Sequence, residues 1–318
     1  MTINFAHKPV LLNECMEWLD IKEDGIYVDC TLGGAGHSSE ILRKLSSKGV
    51  LIGLDQDADA LDVSGKRLKD LKLPGQVKLI KTNFEHIKTA CEGIGFKQVD
   101  GILMDIGVSS WQLDEADRGF SYQQDARLDM RMDQTAKLDA EYVVNHYSKE
   151  ELEKILYAYG EEKWTARIVD FIVTERKINP IRTTGGLVSI IKKAVPAGAR
   201  KEGPHPAKRT FQAIRIEVND ELGVLKRAIE NGFEILKAGG RMCIITFHSL
   251  EDRIVKETYQ KYIRGCTCPK EFPVCICGFK ETARLPVRKP IAASTAELEE
   301  NPRSRSAKLR VIEKLSIL

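Results

Sequence analysis

Long apolar stretches are missing from this chain. Its longest runs are of the size of Met242 to Phe247, far short of the roughly 20 residues that a membrane-spanning helix needs. The opening, Met-Thr-Ile-Asn-Phe-Ala-His-Lys, lacks a charged segment followed by an apolar one, so no secretion signal is expected. A disulfide framework is absent too: Cys15, Cys30, Cys91 and Cys243 are scattered among apolar neighbours. Together these absences lead us to expect a cytoplasmic protein with reduced thiols and no membrane partner. Nor is there a large excess of one charge. Lys and Arg number 49 against 46 Asp and Glu, a net charge of +3. That is too mild to require a nucleic-acid partner and no bar to one, because charge can be clustered. What is present is a globular composition, 42% hydrophobic and 30% charged over 318 residues, long enough for about two domains.

The first hundred residues alternate between strand and helix patterns. Ile26 to Cys30 is β-branched and aromatic, and a turn at Gly33-Gly34-Ala35-Gly36 follows it. A helix is expected from Ser39 to Leu45, capped by Ser38. Val50 to Leu54 reads as a second strand ending at Asp55, and Asp57 to Leu71 as a helix closed by Leu73-Pro74-Gly75. Val77 to Ile80 and Asp100 to Asp105 supply two more strands. This spacing implies βαβ units and a parallel sheet. The rhythm stops after Trp111. Glu141 to Tyr159, Lys163 to Arg176 and Leu187 to Val195 are helical in pattern, with no strands between them. Thr210 to Leu236 reads as one or two helices, Arg241 to Phe247 as a strand, Leu250 to Ile263 as a helix and Leu309 to Ile312 as a last strand. The expected architecture is one discontinuous α/β domain, residues 1–112 and 209–318, interrupted by a mainly helical insertion over 113–208.

A glycine turn between strand and helix lets backbone approach a nucleotide-like ligand in open α/β folds. Asp55 follows Gly36 by about 20 residues, where a carboxylate accepts both ribose hydroxyls. The dinucleotide fingerprint wants a third glycine where this chain has Ser39, which weakens a nicotinamide or flavin reading. A ligand with ribose and adenine but no pyrophosphate, such as S-adenosylmethionine, does not need that third glycine. Asp105 closes the fourth strand and is expected at the same cleft, since ligands sit outside the carboxyl ends of such strands. Amino-group methyltransferases often carry an acidic or amide residue followed by Pro-Pro-aromatic there. This chain keeps the Asp, lacks both prolines, and brings its aromatic late, at Trp111.

Several longer blocks carry a family resemblance. His7-Lys8-Pro9-Val10-Leu11-Leu12, Thr31 to Ser38, and Asp100 to Ser110 resemble the bacterial 16S ribosomal RNA cytosine-N4 methyltransferase family. So do Arg118-Gly119-Phe120-Ser121, Leu128 to Met132, Arg209 to Arg215, Thr246 to Arg253 and Asn301 to Ser306. The resemblance implies a class I (Rossmann-like) methyltransferase sheet with an inserted helical domain. It implies transfer of a methyl group from S-adenosylmethionine to N4 of a cytidine in the decoding centre (P-site) of the small ribosomal subunit. The cofactor contacts it implies fall on Ala35, Gly36, His37, Asp55, Phe84, Asp105 and Gln112. Asp105 is also the candidate acceptor for the target amine, hence the candidate catalytic residue.

The partner it implies is 16S ribosomal RNA. A stacked target base must be splayed out to reach a pocket, and Trp111 and Phe120 are candidates to stack on it, with core or domain-interface packing as the alternative for each. Lys192 to Arg209 is basic and contains three prolines, so Lys192, Lys193, Arg200, Lys201 and Arg209 are candidate phosphate contacts. Arg215, His248 and Arg253 are further candidates, and Arg303, Arg305, Lys308 and Arg310 form a second basic stretch. Finally, Cys266-x-Cys268 and Cys275-x-Cys277 put four thiols within twelve residues, enough for one tetrahedral zinc ion, although each pair is one residue tighter than the usual knuckle. Two other readings stay open. A nicotinamide-dependent oxidoreductase is disfavoured by Ser39. A non-enzymatic RNA- or zinc-binding module leaves Asp55 and Asp105 unexplained.

Overall fold

The computed structural model describes residues 8–108, 115–200, 205–266, 268–269, 271–274 and 276–316. Two compact units divide the chain: residues 1–107 with 222–318, and residues 108–221.

The first unit is the α/β domain. Its elements run α1 (Leu12–Trp18), β1 (Ile26–Asp29), α2 (Gly36–Arg43), β2 (Val50–Asp55), α3 (Ala58–Asp70), β3 (Gln76–Lys81), α4 (Ile87–Gly93) and β4 (Val99–Asp105). The sheet order is β3-β2-β1-β4, all parallel. Val28, Ile52, Leu54, Ile102 and Met104 pack into one apolar cluster, and Tyr27, Leu51 and Leu103 into another. Covered on both faces, β1, β2 and β4 read as nearly continuous apolar runs rather than alternating ones. Each fully buried Leu or Ile contributes roughly 1.5–3 kcal/mol.

The second unit is helical. It holds α5 (Ala140–His146), α6 (Lys149–Gly160), α7 (Thr165–Glu175), α8 (Thr184–Ala194) and α9 (Lys208–Asn219). Its core draws on Leu128, Val143, Leu156, Ile168, Leu187, Phe211 and Ile214. The helix expected over 141–159 is two helices. Tyr147 is extended, and Ser148 with Glu151 forms a reciprocal capping box that starts α6. The unit also reaches further along the chain than the sequence reading placed it. Helix α9 packs on α6, so the α/β unit resumes at 222 rather than 209. Asp220, left-handed with φ 45°, separates α9 from α10 (Glu221–Ile235).

Beyond α10 come β5 (Leu236–Thr246), α11 (Ser249–Ile263), β6 (Ala283–Arg284), β7 (Ile291–Ala292), α12 (Thr295–Glu300) and β8 (Lys308–Lys314). Strand β5 joins β4 in parallel, and β8 runs antiparallel beside β5. The short β6 and β7 both pair with β8. Strand β5 begins at Leu236, ahead of the apolar run expected from Arg241. No helix among the described residues is long and apolar enough to cross a membrane.

Candidate active site

The strand order reverses between β1 and β4, and a ligand crevice opens at such a switch point, outside the carboxyl ends of the strands. Three adjacent parallel strands end there in aspartate: β2 at Asp55, β1 at Asp29 and β4 at Asp105. The glycine loop is pinned between them. Cys30 N donates to Leu103 O on β4 at 2.9 Å, and Leu32 N to Leu54 O on β2 at 3.1 Å.

Asp55 accepts Gly33 N through Oδ2 and Asp57 N through Oδ1, both at 2.9 Å. Burial pushes its carboxyl up to about 6, against the pull of those two N–H groups. From α3, the Ser64 hydroxyl donates to Gly33 O and the Arg67 guanidinium to Gly34 O. The loop then turns at Ala35, buried and left-handed with φ 55°, directly into α2. Its neighbour Gly36 faces Pro9, whose Cγ would lie 2.3 Å from any Cβ there. The opening block of the chain and the glycine block thus share one contact.

Ser38 is not a helix cap. It lies inside α2, and its hydroxyl donates to Asp29 Oδ2 at 2.6 Å. Asp29 also accepts Thr31 N at 3.2 Å, while Thr31 Oγ1 accepts Asp105 N at 2.7 Å. Asp29, 1% exposed, is therefore a scaffold carboxylate that braces the loop. Sequence reasoning passed over it because it reads as the end of an apolar strand.

Asp105 differs from both. Its side chain is 26% exposed, yet Oδ1 is buried with no hydrogen-bond partner among the described residues. Oδ2 lies 3.8 Å from His37 Nδ1. The other ring nitrogen, Nε2, sits 2.9 Å from Val10 O. A carbonyl only accepts, so Nε2 carries the hydrogen. Burial pushes the Asp105 carboxyl up to about 6, His37 pulls it back, and Asp29 and Glu251 push it up further. A buried carboxylate oxygen without a donor costs free energy and marks a place for a ligand's donor or positive charge.

The structure thus gathers Ala35, Gly36, His37, Asp55 and Asp105 around one loop. The His37 side chain is committed to Val10 and Asp105, which leaves its backbone for a ligand. Phe84 follows β3 on the short turn Phe84–His86, half-buried against the core, beside Asn83, which donates to Gln56 Oε1 at 3.1 Å. Gln112 and Trp111 lie outside the described residues, as do Lys201 and Cys275.

The candidate RNA contacts fare unevenly. Lys192 and Arg200 are exposed, and Lys193 is 3.0 Å from Glu175. Arg209 is exposed but donates to Glu161 O at the end of α6, so part of its guanidinium does structural work. Arg215 forms a two-pronged pair with Glu221 at 2.8 and 2.9 Å. His248 is not a surface phosphate contact: it caps α11, and its Nε2 lies 3.0 Å from buried Glu251. Arg310 is likewise taken by Asp252, at 2.6 and 3.1 Å. Phe120 is 5% exposed in the core of the helical unit, which removes it as a stacking platform. The blocks around it are scaffold as well: Arg118 donates to Arg131 O and Met132 O, and Arg131 grips Asp129 at 2.7 and 2.8 Å.

A family model described as the MraW methylase family matches residues 4–315. Curated relatives named ribosomal RNA small subunit methyltransferase H are similar over 98% of this chain and their own full length. They include proteins of Ruminiclostridium cellulolyticum and Acetivibrio thermocellus, each 58% identical, and of Clostridioides difficile, 57% identical.

Proposed function

The chain belongs to the MraW methylase family, and from that premise we propose that it methylates N4 of a P-site cytidine in 16S ribosomal RNA with S-adenosylmethionine. The observation that carries the reading is the cradle itself: a glycine loop held by Asp55, and Asp105 with a buried oxygen that has no hydrogen-bond partner among the described residues. Relatives named for the small ribosomal subunit supply the substrate class.

When bound, S-adenosylmethionine supplies a methyl group already activated by a sulfonium cation. The chain's own residues have three tasks. Asp55 holds the ribose hydroxyls, each of its oxygens keeping acceptor capacity beyond the backbone N–H it already takes. The backbone of Ala35, Gly36 and His37 gives close approach, and Phe84 an apolar face for adenine. Asp105 would complete the cofactor's anchorage, its carboxylate available to a donor or positive charge on the ligand. Orientation for in-line attack is then the main catalytic contribution. The nicotinamide reading loses ground here, because buried Ser39 fills α2 and donates to Ala35 O.

The helical unit, on this reading, recognises RNA, with Lys192, Lys193, Arg200 and Lys201 as its phosphate contacts. Changing all four to alanine should weaken RNA binding and lower the slope of log K against log salt by about 3, at about 0.7 per lost phosphate contact on a single strand. Lys193, tied to Glu175, should contribute least. Affinity for S-adenosylmethionine should hold. A slope equal to that of the parent protein would place RNA elsewhere. Nucleoside mass spectrometry of ribosomal RNA from cells with and without the protein tests the methylated position itself.

A further inference from the structure

The cysteines sort into two groups. Cys15, Cys30, Cys91 and Cys243 are buried, while Cys266 and Cys277 are exposed and Cys268 half-exposed. Burial pushes the thiols of the first group above their ordinary range, which makes them inert core residues. The second group lies in the loop from Arg264 to Thr282, between α11 and β6. That loop contains no helix, no strand and no buried residue among those described. A structureless stretch of that length is uncommon inside a compact domain, and this one has no apolar core of its own to hold it.

Its sulfur atoms nonetheless converge. One Sγ from each of Cys266, Cys268 and Cys277 lies within 4.8 Å of the other two. Cys277 Sγ is 3.6 Å from Cys266 Sγ. Zinc–sulfur bonds of about 2.3 Å in a tetrahedron put neighbouring sulfurs about 3.8 Å apart, close to that separation. The backbone N–H of Ile276 points at Cys268 Sγ at 3.3 Å, the kind of donor that stabilises a thiolate. Gly278 follows the last cysteine at φ 68°, a left-handed turn that glycine adopts without strain. At the loop's base, the Phe279 ring packs on Gly265, 2.5 Å from where a Cβ would stand, so the two ends are drawn together beside the thiols.

The geometry points to a structural zinc site formed by Cys266, Cys268 and Cys277. An iron–sulfur cluster does not fit, because its thiolates bind different irons and stand further apart than these three. Binding converts thiols to thiolates and releases one proton per cysteine ligand. The ion takes the place of the missing core, fixing the loop as a closed knuckle. Three protein thiolates leave one tetrahedral position for a further donor, and the site stands apart from the methyl-transfer cleft in role.

The test is metal analysis of the full chain purified without chelator. We expect about one zinc per protein, and cobalt substitution should give the visible absorption of a tetrahedral thiolate site. A Cys266→Ser/Cys277→Ser variant should carry none while still binding S-adenosylmethionine. Should that variant fail to fold, the parent protein answers the question alone. Chelation should then expose at least three additional thiols to a chromogenic reagent, and added zinc should protect them again. Protein that stays metal-free after dialysis against zinc would overturn the site. So would a non-reducing intact mass two hydrogens short, which would show a disulfide instead.

Discussion

Asp55→Ala is expected to weaken S-adenosylmethionine binding by tenfold or more. Hydrogen bonds to a charged acceptor contribute about 1.5–3 kcal/mol, or roughly 10- to 150-fold in affinity. Asp55 is placed to make such bonds to the ribose while it also receives Gly33 N and Asp57 N. The alanine variant therefore loses a ligand contact and a brace of the loop. Asp55→Asn separates the two effects: it keeps one carbonyl acceptor and loses the charge, so its affinity should fall between those of the parent and the alanine variant. Calorimetric titration, with the melting temperature of the ligand-free protein beside it, reads both. Unchanged affinity in a folded alanine variant would move the ribose site elsewhere.

Asp105→Asn should lower cofactor affinity by about tenfold and leave the methyl-transfer rate at saturating cofactor within a few-fold of the parent. An Oδ1 without a partner among the described residues and the absence of the prolines that shape an amine-binding motif both favour anchorage over polarisation of the target amine. A pH signature accompanies it. Asp55 and Asp105 both sit near 6, so below that value these two carboxyls are largely protonated and neutral. A cationic ligand prefers the ionised form. Affinity should therefore rise as pH climbs through about 6, with protons released on binding. The asparagine variant should lose one of the two proton steps and show a shallower rise. A rate that falls by an order of magnitude at saturation, with affinity intact, would make Asp105 a group acting on the amine instead.

Much of this site is legible from the chain because each strand is a short apolar run stopped by an aspartate. Asp55 and Asp105 announce themselves as charges at the ends of Val50–Leu54 and Ile102–Met104. Asp29 ends Ile26–Val28 in the same way, but Cys30 after it extends the apolar run and hides the boundary. Ser38 reads as a cap in the sequence because serine often is one; the helix instead starts earlier, after the left-handed Ala35, which delivers Ser38 to Asp29. The Ser148–Glu151 capping box was written in the sequence and still lost inside a longer helical pattern. The arginines illustrate a different limit. Arg215, Arg310 and Arg209 carry the right charge for phosphate, but their partners, Glu221, Asp252 and Glu161 O, are fixed by folding. Only the three-dimensional arrangement tells a committed guanidinium from an available one.

The proposed function is transfer of a methyl group to N4 of one cytidine in 16S ribosomal RNA. Nucleoside mass spectrometry of small-subunit RNA fragments from cells lacking the protein, and from the same cells complemented with it, tests that directly. N4-methylated cytidine should disappear from a single decoding-centre fragment and return with the parent protein, but be restored poorly by Asp55→Ala. The same methylated fragment in cells with and without the protein would contradict it.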